Sequence, residues 1–265
     1  MRLCSIASGS SGNCIYIGSD TTHLLVDTGI SGRRIEAGLK ALQLSLRDVD
    51  GILITHEHSD HISGLGVLLR KREIPVYATA GTIRKMREMV SLRDIPAELF
   101  QEIREEEHFV IKDITVVPME ISHDAAQPAA YRFRHDGKWA GIMTDLGIYN
   151  EYTVACMQGM DAVLVEANHD IRMLETGPYP YYLKRRIMGE RGHLSNEMSG
   201  RFVSRILHDN LKAVVLGHLS KENNLAELAY ETVRLEITMA DNGFRGNDFP
   251  ITVAKRSEVS EIIEL

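Results

Sequence analysis

The chain has 265 residues, of which 44% are hydrophobic and 25% are charged. This length allows a sizeable core, and because no apolar stretch reaches the roughly 18 residues of a membrane span, the composition predicts a soluble globular protein and excludes a membrane partner. The formal net charge of −7 excludes a global attraction to nucleic acid, so such a partner would need a local basic patch or bound metal ions.

The N-terminus and the cysteines predict a cytoplasmic protein. The first residues, MRLCSIASGSSGNC, contain no apolar run of the kind found in a secretory signal. Cys4, Cys14 and Cys156 are odd in number and lack CxxC spacing, which argues against a disulfide framework and against a thiolate zinc site. We expect them to be small buried residues.

The first half of the chain is predicted to alternate strands and helices. Runs rich in β-branched and apolar residues predict strands at residues 3–7, 14–17, 23–27, 51–54, 76–78 and 114–119. Apolar residues at helical spacing predict one helix after Ser31 and another after His61. The first helix carries Ile35, Leu39 and Leu42, and the second carries Ile62, Leu65, Leu68 and Leu69.

The second half is also predicted to contain both strands and helices. Strands are predicted at 131–135 and 139–144 around the turn pair Asp136-Gly137, and at 162–165 and 213–216. Helices are predicted at 181–188, 196–207 and 225–240. No long linker divides the halves, so we expect a single domain over residues 1–265. Strand-rich halves with outer helices predict an α/β fold with two packed sheets, a four-layer αββα sandwich.

Several predicted buried strands are followed, at once or after one residue, by a side chain that can bind a metal ion. These residues are His56, Asp145, Glu166 and His218, and His123 follows a further strand by a few positions. Because α/β folds present their sites at the carboxyl ends of strands, we expect these side chains to converge on one rim.

The segment THEHSDHISG, residues 55–64, places three histidines and two acids within seven positions. Neutral imidazole and carboxylate suit zinc, manganese or iron, and a loop leaving a strand can aim alternate side chains the same way. His56 and His58 can therefore bind one metal ion while Asp60 and His61 bind another. Desolvating so many polar groups is costly unless something binds them.

These motifs resemble the metallo-β-lactamase superfamily, whose HxHxDH signature stands here as residues 56–61. The resemblance extends from residue 1 to about 220, with Val26-Asp27-Thr28-Gly29, His123, Asp145 and His218 following the family's order. It implies an αββα fold, a site on the edge between the sheets, two divalent ions (Zn²⁺, Mn²⁺ or Fe²⁺) and hydrolytic chemistry. It assigns His56, His58 and His123 to the first ion, Asp60, His61 and His218 to the second, Asp145 to both, and Asp27 to holding the ligand loop.

Glu166 and His193 indicate which bond is hydrolysed. The segments EANHD and GHLSN resemble the phosphodiesterase branch, especially the tRNase Z type, where a Glu at a strand end pairs with a His from a later loop. A phosphodiester expels a basic alkoxide, so a positioned imidazolium helps. The resemblance implies that a metal-bridging hydroxide attacks phosphorus, Asp60 accepts or relays a proton, His193 protonates the leaving oxygen and Glu166 orients His193.

Within the superfamily, the combination of SGSSGNC, THEHSDHISGL, EANHD, the segment at 179–186 and GHLSN resembles the YycJ (WalJ) group. That resemblance implies a cytoplasmic 5′ to 3′ exonuclease on double-stranded DNA, linked with DNA repair and without an obligate protein partner. The interval between Asp145 and His218 is too short for a β-CASP insertion. Candidate substrate contacts are Ser10 and Asn13 in a Gly/Ser-rich loop, His169 and Ser195, and the basic run Lys184, Arg185 and Arg186.

Other functions remain open from the sequence. A cyclic phosphodiesterase resembling PhnP and an RNA-processing nuclease would use the same core. Thioesterases and lactonases share the ligand set but require no additional acid, and exported metallo-β-lactamases typically place a Cys at the second metal. A metal-stabilised binding module is the non-enzymatic alternative, although so many ligands exceed what structure requires.

Overall fold

The computed structural model describes residues 1–265. The chain divides into two compact units: unit 1 comprises Met1–Glu120, Ala125–Gly137 and Lys255–Glu264, and unit 2 comprises Ile121–Asp124, Lys138–Ala254 and Leu265. Such a division does not decide how many parts fold independently, so the single domain over 1–265 stays a prediction.

Unit 1 contains a seven-stranded mixed sheet. Its strands are β1 (Arg2–Ala7), β2 (Cys14–Gly18), β3 (His23–Val26), β4 (Gly51–Leu53), β5 (Val76–Thr79), β6 (Phe100–Ile103) and β14 (Ile263–Glu264). Their order is β14-β1-β2-β3-β4-β5-β6, antiparallel up to β3 and parallel from β3 to β6. Val26 pairs with Leu53, so β3 and β4 end side by side. The loops that follow these two strands carry the candidate ligands of unit 1.

Three further strands of unit 1 pair antiparallel in chain order. They are β7 (Phe109–Ile111), β8 (Ile114–Glu120) and β9 (Ala129–His135). Along β8, Ile114, Val116 and Pro118 are buried and alternate with half-buried residues, the pattern of a strand with one face in a core. After β9, Asp136 and Gly137 both have positive φ, as a type I′ turn requires.

The helices of unit 1 pack on the sheet through the predicted apolar positions. They are α1 (Gly32–Ala41), α2 (Ser59–Ile62), α3 (Leu65–Lys71) and α4 (Ala80–Glu88), with 3-10 turns at Leu46–Asp48, Val90–Leu92 and Ala97–Leu99. Ile35, Leu39, Leu65 and Leu68 all lie in the core cluster with strand residues such as Ile52. Hydrophobic burial thus fixes both the helices and the loops between them.

The helix predicted after His61 is interrupted. The N–H of Gly64 donates to the Thr28 carbonyl oxygen at 2.8 Å instead of continuing α2. A Cβ atom at Gly64 would lie 2.2 Å from the carbonyl oxygen of Ile30, so only glycine allows this approach. The interruption attaches the ligand-bearing α2 directly to the loop after β3.

Unit 2 is built on parallel strands, β10 (Lys138–Met143), β11 (Ala162–Glu166), β12 (Ala213–Gly217) and β13 (Ile251–Val253). Every residue of β11 and β12 is buried, as expected for a parallel sheet covered on both faces. Met143 pairs with Val165, and Glu166 pairs with Gly217. The register therefore brings Asp145, Glu166 and His218 to the same edge of the strands.

Five helices complete unit 2. They are α5 (Glu151–Met157), α6 (Ile171–Thr176), α7 (Tyr181–Ile187), α8 (Asn196–Ile206) and α9 (Ala226–Met239). α8 and α9 approach closely at Gly200, where a Cβ atom would lie 3.1 Å from the Val233 Cα. None of the helices in the chain is both long and apolar enough to cross a membrane. The three cysteines are free and buried, which confirms their predicted role.

Candidate metal centre

The unit 1 donors come from the loop that follows β4 and from α2. His56 and His61 are buried and His58 is half-buried. Nε2 of His56 lies 3.0 Å from Nδ1 of His58, and the rings of His56 and His61 are 4.1 Å apart between centroids. Imidazole nitrogens this close suit a shared cation better than solvent.

Asp27 holds this loop from the end of β3. Its Oδ2 lies 2.7 Å from Nδ1 of His61, and its Oδ1 accepts a hydrogen bond from the Thr55 N–H at 2.9 Å. Thr55 Oγ1 donates to Asp27 Oδ2 at 2.9 Å. A carboxylate on Nδ1 keeps the proton there and leaves the Nε2 lone pair for a metal ion. Asp27 adopts φ of 62°, a left-handed conformation that is costly for a non-glycine residue.

The Gly/Ser-rich loop after β1 packs against the same residues. The Asn13 N–H donates to the Asp60 carbonyl oxygen at 2.8 Å, and Nδ2 of Asn13 lies 3.3 Å from Nε2 of His61. Asn13 has no exposed surface, and its Oδ1 accepts from the Gly9 N–H at 3.0 Å. Asn13 therefore orders the loop, and its predicted substrate contact stays a prediction. Ser10 is exposed at the loop tip, so its predicted substrate contact stays open.

Asp145 is the centre of the unit 2 donors. Its Oδ1 lies 3.5 Å from Nε2 of His218, 3.6 Å from Nδ1 of His193 and 3.7 Å from Nε2 of His123. Burial lowers the pKa of His123, partly opposed by the Asp145 carboxylate, which favours the neutral ring that binds metals. Asp145 and His218 have φ of 60° and 54°, so two of these side chains leave the strand ends from left-handed backbone.

Glu166 connects the residues around Asp145. It is fully buried, its Oε1 lies 3.2 Å from Nδ1 of His193 and accepts from the Leu194 N–H at 2.9 Å, and its Oε2 lies 3.4 Å from Nδ1 of His218. The Asp145 N–H also donates to Oε2. Burial alone would raise the pKa of Glu166, but His193 and His218 outweigh it and lower the pKa. Glu166 is therefore an ionised side chain that orients two histidines.

A layer of buried amides supports this arrangement, and sequence reasoning missed its role. Nδ2 of Asn168 donates to the His218 carbonyl oxygen at 3.0 Å, and Nδ2 of Asn224 donates to the Asn168 carbonyl oxygen at 3.0 Å. Both are buried. Their signal in the sequence was weak: Asn168 directly precedes His169 near the end of a strand, and Asn224 lies in an ordinary polar loop.

His169 and Ser195, both predicted to contact substrate, have structural partners. Both are buried, and they form an isolated parallel bridge. Burial lowers the pKa of His169 to about 4. Oγ of Ser195 accepts from the Met198 N–H at 3.2 Å and caps α8, the usual task of a serine before a helix. Both residues therefore help to position the loop that carries His193, and their substrate contacts stay predictions.

The predicted basic run lies on α7. Nζ of Lys184 donates to the Glu175 carbonyl oxygen at 2.7 Å, Nη2 of Arg186 lies 3.0 Å from Oδ1 of Asp124, and the Arg185 guanidinium lies over the ring of Tyr181. Arg185 and Arg186 are exposed and Lys184 is half-buried. Arg186 therefore anchors α7 beside His123, whereas Arg185 presents its charge to solvent.

The donor chemistry of each unit fits divalent ions. In unit 2, one donor atom from each of Asp145, Glu166, His193 and His218 lies within 4.8 Å of the others. Unit 1 supplies imidazoles and the Asp60 carboxylate, and no thiolate takes part in either cluster. Nitrogen and oxygen donors without sulfur suit Zn²⁺, Mn²⁺ or Fe²⁺. Fold and donors together define an α/β protein with clusters of side chains suited to divalent metal ions.

Comparison with known proteins identifies the family. A family model described as the β-lactamase superfamily domain matches residues 22–219. The chain therefore belongs to the β-lactamase superfamily. It is 40% identical over 228 residues to the exodeoxyribonuclease YycJ of Bacillus anthracis, with 86% of each chain covered. It is also 40% identical over 246 residues to the exodeoxyribonuclease WalJ of Streptococcus pneumoniae strain D39, covering 93% of this chain and 91% of the relative.

A solved structure supports the fold assignment. The metallo-β-lactamase fold protein YhfI of Bacillus subtilis aligns with a TM-score of 0.70 over 98% of each chain, at 14% sequence identity. This likeness concerns the fold alone. It confirms the predicted metallo-β-lactamase fold, and the relatives confirm the predicted resemblance to the YycJ (WalJ) group.

Proposed function

We propose that the protein is a metal-dependent exodeoxyribonuclease. The observation that carries this proposal is the contact between Glu166 and His193, because it adds a proton donor to a metal-binding hydrolase site. Identity of 40% to two exodeoxyribonucleases over most of the chain supports the same activity. Two divalent ions, when bound, would lower the pKa of a water molecule and neutralise charge on the phosphate.

The ligand assignment implied by the family motifs is part of this proposal. We assign His56, His58 and His123 to one ion and Asp60, His61 and His218 to the other, with Asp145 shared. The contacts within each unit support it. In unit 1, Asp27 leaves Nε2 of His61 as the coordinating nitrogen. In unit 2, Nε2 of His218 faces Asp145 while its Nδ1 faces Glu166. In both rings Nε2 is thus the nitrogen that would bind a metal ion.

His193 protonates the departing oxygen in this proposal. Its Nδ1 lies 3.2 Å from Oε1 of Glu166. The other ring nitrogen, Nε2, is therefore the one that donates the proton to the leaving oxygen. The buried Glu166 orients the His193 ring through Nδ1, and the Leu194 N–H donates to the same carboxylate and holds the loop in place. Asp60, whose side chain is one-quarter exposed, takes up or relays the proton released from the attacking water.

The form of the DNA substrate, the cellular role, the location and the metal are proposals as well. Double-stranded DNA, 5′ to 3′ polarity, a role in DNA repair and a cytoplasmic location are expectations from the YycJ (WalJ) resemblance. Zinc or manganese is the expected metal, since the donors are nitrogen and oxygen. A nucleic-acid substrate must overcome the net charge of −7, so bound cations and local basic side chains have to supply the attraction.

The test uses metal-loaded protein and several substrates side by side. They are duplex DNA labelled at the 5′ end, the same duplex labelled at the 3′ end, single-stranded DNA, RNA and bis(p-nitrophenyl) phosphate. We expect the duplex to be degraded stepwise from its 5′ ends. Cleavage of the small ester alone would favour a cyclic phosphodiesterase resembling PhnP, and preferred cleavage of RNA would favour RNA processing. Either result would overturn the exodeoxyribonuclease proposal.

A further inference from the structure

Two adjacent tyrosines stand exposed on α7. The side chains of Tyr181 and Tyr182 are 73% and 75% exposed. They begin the helix directly after Pro180, whereas Leu183 is half-buried and Ile187 is buried. An exposed aromatic pair leaves two large flat surfaces in water, and such surfaces are used at binding sites where one face is covered by a partner.

The charge around the pair is positive. Lys184, Arg185 and Arg186 follow within the same helix, although the chain as a whole is acidic. The Arg185 guanidinium carbon lies 6.0 Å from the centroid of the Tyr181 ring, so cation and aromatic face occupy one surface. Lys184 is fixed by its bond to the Glu175 carbonyl oxygen. Aromatic faces beside fixed cations match a polymer of flat bases and phosphates.

The helix is joined to the loop that carries the proposed proton donor. The His193 N–H donates to the carbonyl oxygen of Ile187, the last residue of α7, at 2.9 Å. A Cβ atom at Gly192 would lie 2.1 Å from that same oxygen, so the backbone segments are in direct contact. The pair of Arg186 with Asp124 fixes the helix on another side. A nucleotide resting on α7 would therefore sit at a set distance from His193.

We propose that Tyr181 and Tyr182 form a stacking platform for unpaired bases at the end of the DNA substrate. Lys184 and Arg185 would bind the neighbouring phosphates. This inference rests on the proposed nuclease function and deepens it, because it predicts that frayed or single-stranded ends are engaged more tightly than flush paired ends. Stacking on tyrosine is tolerant of sequence, as an exonuclease that removes every base requires.

A binding experiment tests the platform without relying on cleavage. Metal-loaded full-length protein is titrated into a single-stranded oligonucleotide that carries 2-aminopurine as its 5′-terminal base and phosphorothioate linkages that resist hydrolysis. We expect the fluorescence to be quenched on binding. The Tyr181→Ala and Tyr182→Ala variants should lose affinity by about 5- to 100-fold each, and the Phe variants should keep it because the ring remains. Tyr152→Ala on α5, an exposed tyrosine outside the platform, is the matched control.

A second experiment separates the platform from the proposed activity. Metal-loaded protein is given two duplexes of equal length, one flush and one with unpaired terminal bases. Wild type should show a lower KM for the unpaired end. The double variant Tyr181→Ala/Tyr182→Ala should lose that preference while its hydrolysis of bis(p-nitrophenyl) phosphate is unchanged.

The outcomes of the two experiments are distinct. If the alanine variants bind the probe and choose between ends as wild type does, the platform is overturned while the nuclease function stands. Weaker binding by the Phe variants to the same extent as the Ala variants would also overturn it, because the ring would not be what binds. If wild type binds the probe through the tyrosines but cleaves no DNA, the platform stands as a binding surface and the proposed nuclease function fails.

Discussion

Oδ2 of Asp27 lies 2.7 Å from Nδ1 of His61, and neither side chain has any exposed surface. The same carboxylate accepts from the Thr55 N–H, so one acid sets both the ring orientation of His61 and the path of the loop after β4. Its effect on metal binding therefore passes through His61, without direct coordination.

Replacing Asp27 with Asn should weaken metal binding without abolishing it. The amide keeps the shape of the carboxylate but loses the charge that holds a proton on Nδ1, and losses of partners of this kind typically cost about 10–100-fold in affinity. Competition against a chelator, read as metal content, measures the change. Asp20→Asn, at a fully exposed acid of the same unit, is the control. Unaltered metal content at every chelator concentration would contradict the orienting role.

The Asp145→Ala variant should lose metal from both positions. The shared carboxylate neutralises charge between two close cations, so neither ion is held as well without it. Elemental analysis of wild type is expected to give two ions per chain and the variant fewer than one at the same free metal concentration. Glu151→Ala, at an exposed acid on α5, should keep both. Loss of a single ion in Asp145→Ala would show that the carboxylate serves one position only.

Loss of the proposed proton donor should depend on the leaving group. His193→Ala is expected to reduce turnover of duplex DNA by about 10²–10⁴-fold with metal content retained. Glu166→Gln should lose less, because the ring remains. The leaving group of bis(p-nitrophenyl) phosphate needs little protonation. On this substrate His193→Ala should therefore keep a much larger fraction of wild-type activity than on duplex DNA. Equal losses on both substrates, or loss of a metal ion, would assign His193 to binding or ligation instead.

The basic residues of α7 should contribute to the salt dependence of DNA binding. Each phosphate contact that is removed lowers the slope of log affinity against log salt by about 1. The variant Lys184→Ala/Arg185→Ala leaves the Arg186 pair with Asp124 intact, so the helix stays anchored. We expect a slope shallower by about 2 than that of wild type. Arg84→Ala/Lys85→Ala on α4 is the control. An identical slope in both variants would show that Lys184 and Arg185 are only part of a solvated helix face and bind no phosphate.

A cluster at Asp113 predicts a pH-dependent part of the stability. Burial alone would raise the pKa of this carboxyl, but hydrogen bonds from Thr22, Thr21 and Ser19 outweigh it and lower the pKa to about 2. Because the folded-state pKa lies below the ordinary 3.8, the stabilisation is present above about pH 4 and is lost as the pH falls towards 2.

Asp113→Asn should therefore destabilise the protein near pH 7 and lose its effect in acid. The side chain is about one-third exposed, so we expect a difference of no more than about 1 kcal/mol. Urea unfolding of the variant and of wild type at pH 7, 4.5 and 3 measures it. A difference that stays constant over this range would show that the hydrogen bonds do not depend on the charge.

Much of the architecture was predictable because the spacing of apolar residues and the positions of turn-forming residues indicated the same strands and helices. The strand predicted at 114–119 is Ile114–Glu120, and the helix predicted at 196–207 is Asn196–Ile206. β6 and β7 were missed because they are short and lack alternation: FQEI has two adjacent polar residues between its apolar ends, and FVI, only three residues long, follows the charged run at 104–107. Strand β14, only two residues long, pairs with the distant β1, and no local pattern predicts such a contact.

The candidate metal-binding side chains could be predicted from the sequence more fully than the residues that hold their loops in place. A buried strand followed by His, Asp or Glu predicted the positions of His56, Asp145, Glu166 and His218, and the register of unit 2 brings the last three to one edge. The predicted substrate contacts of Asn13, His169 and Ser195 stay predictions, because polar residues near a site can either contact substrate or hold its loops. Burial bears on these roles, and burial is not visible in a single sequence.

The left-handed backbone at Asp27, Asp145 and His218 affects how this enzyme could be stabilised. Glycine would relieve backbone strain of about 1–2 kcal/mol at each position, since it has no Cβ to clash with the following carbonyl. Glycine at Asp27 would, however, leave the Thr55 N–H and Nδ1 of His61 buried without their carboxylate partner, a loss that offsets the relief. Libraries for a thermostable variant should keep these codons fixed and vary the exposed loops instead.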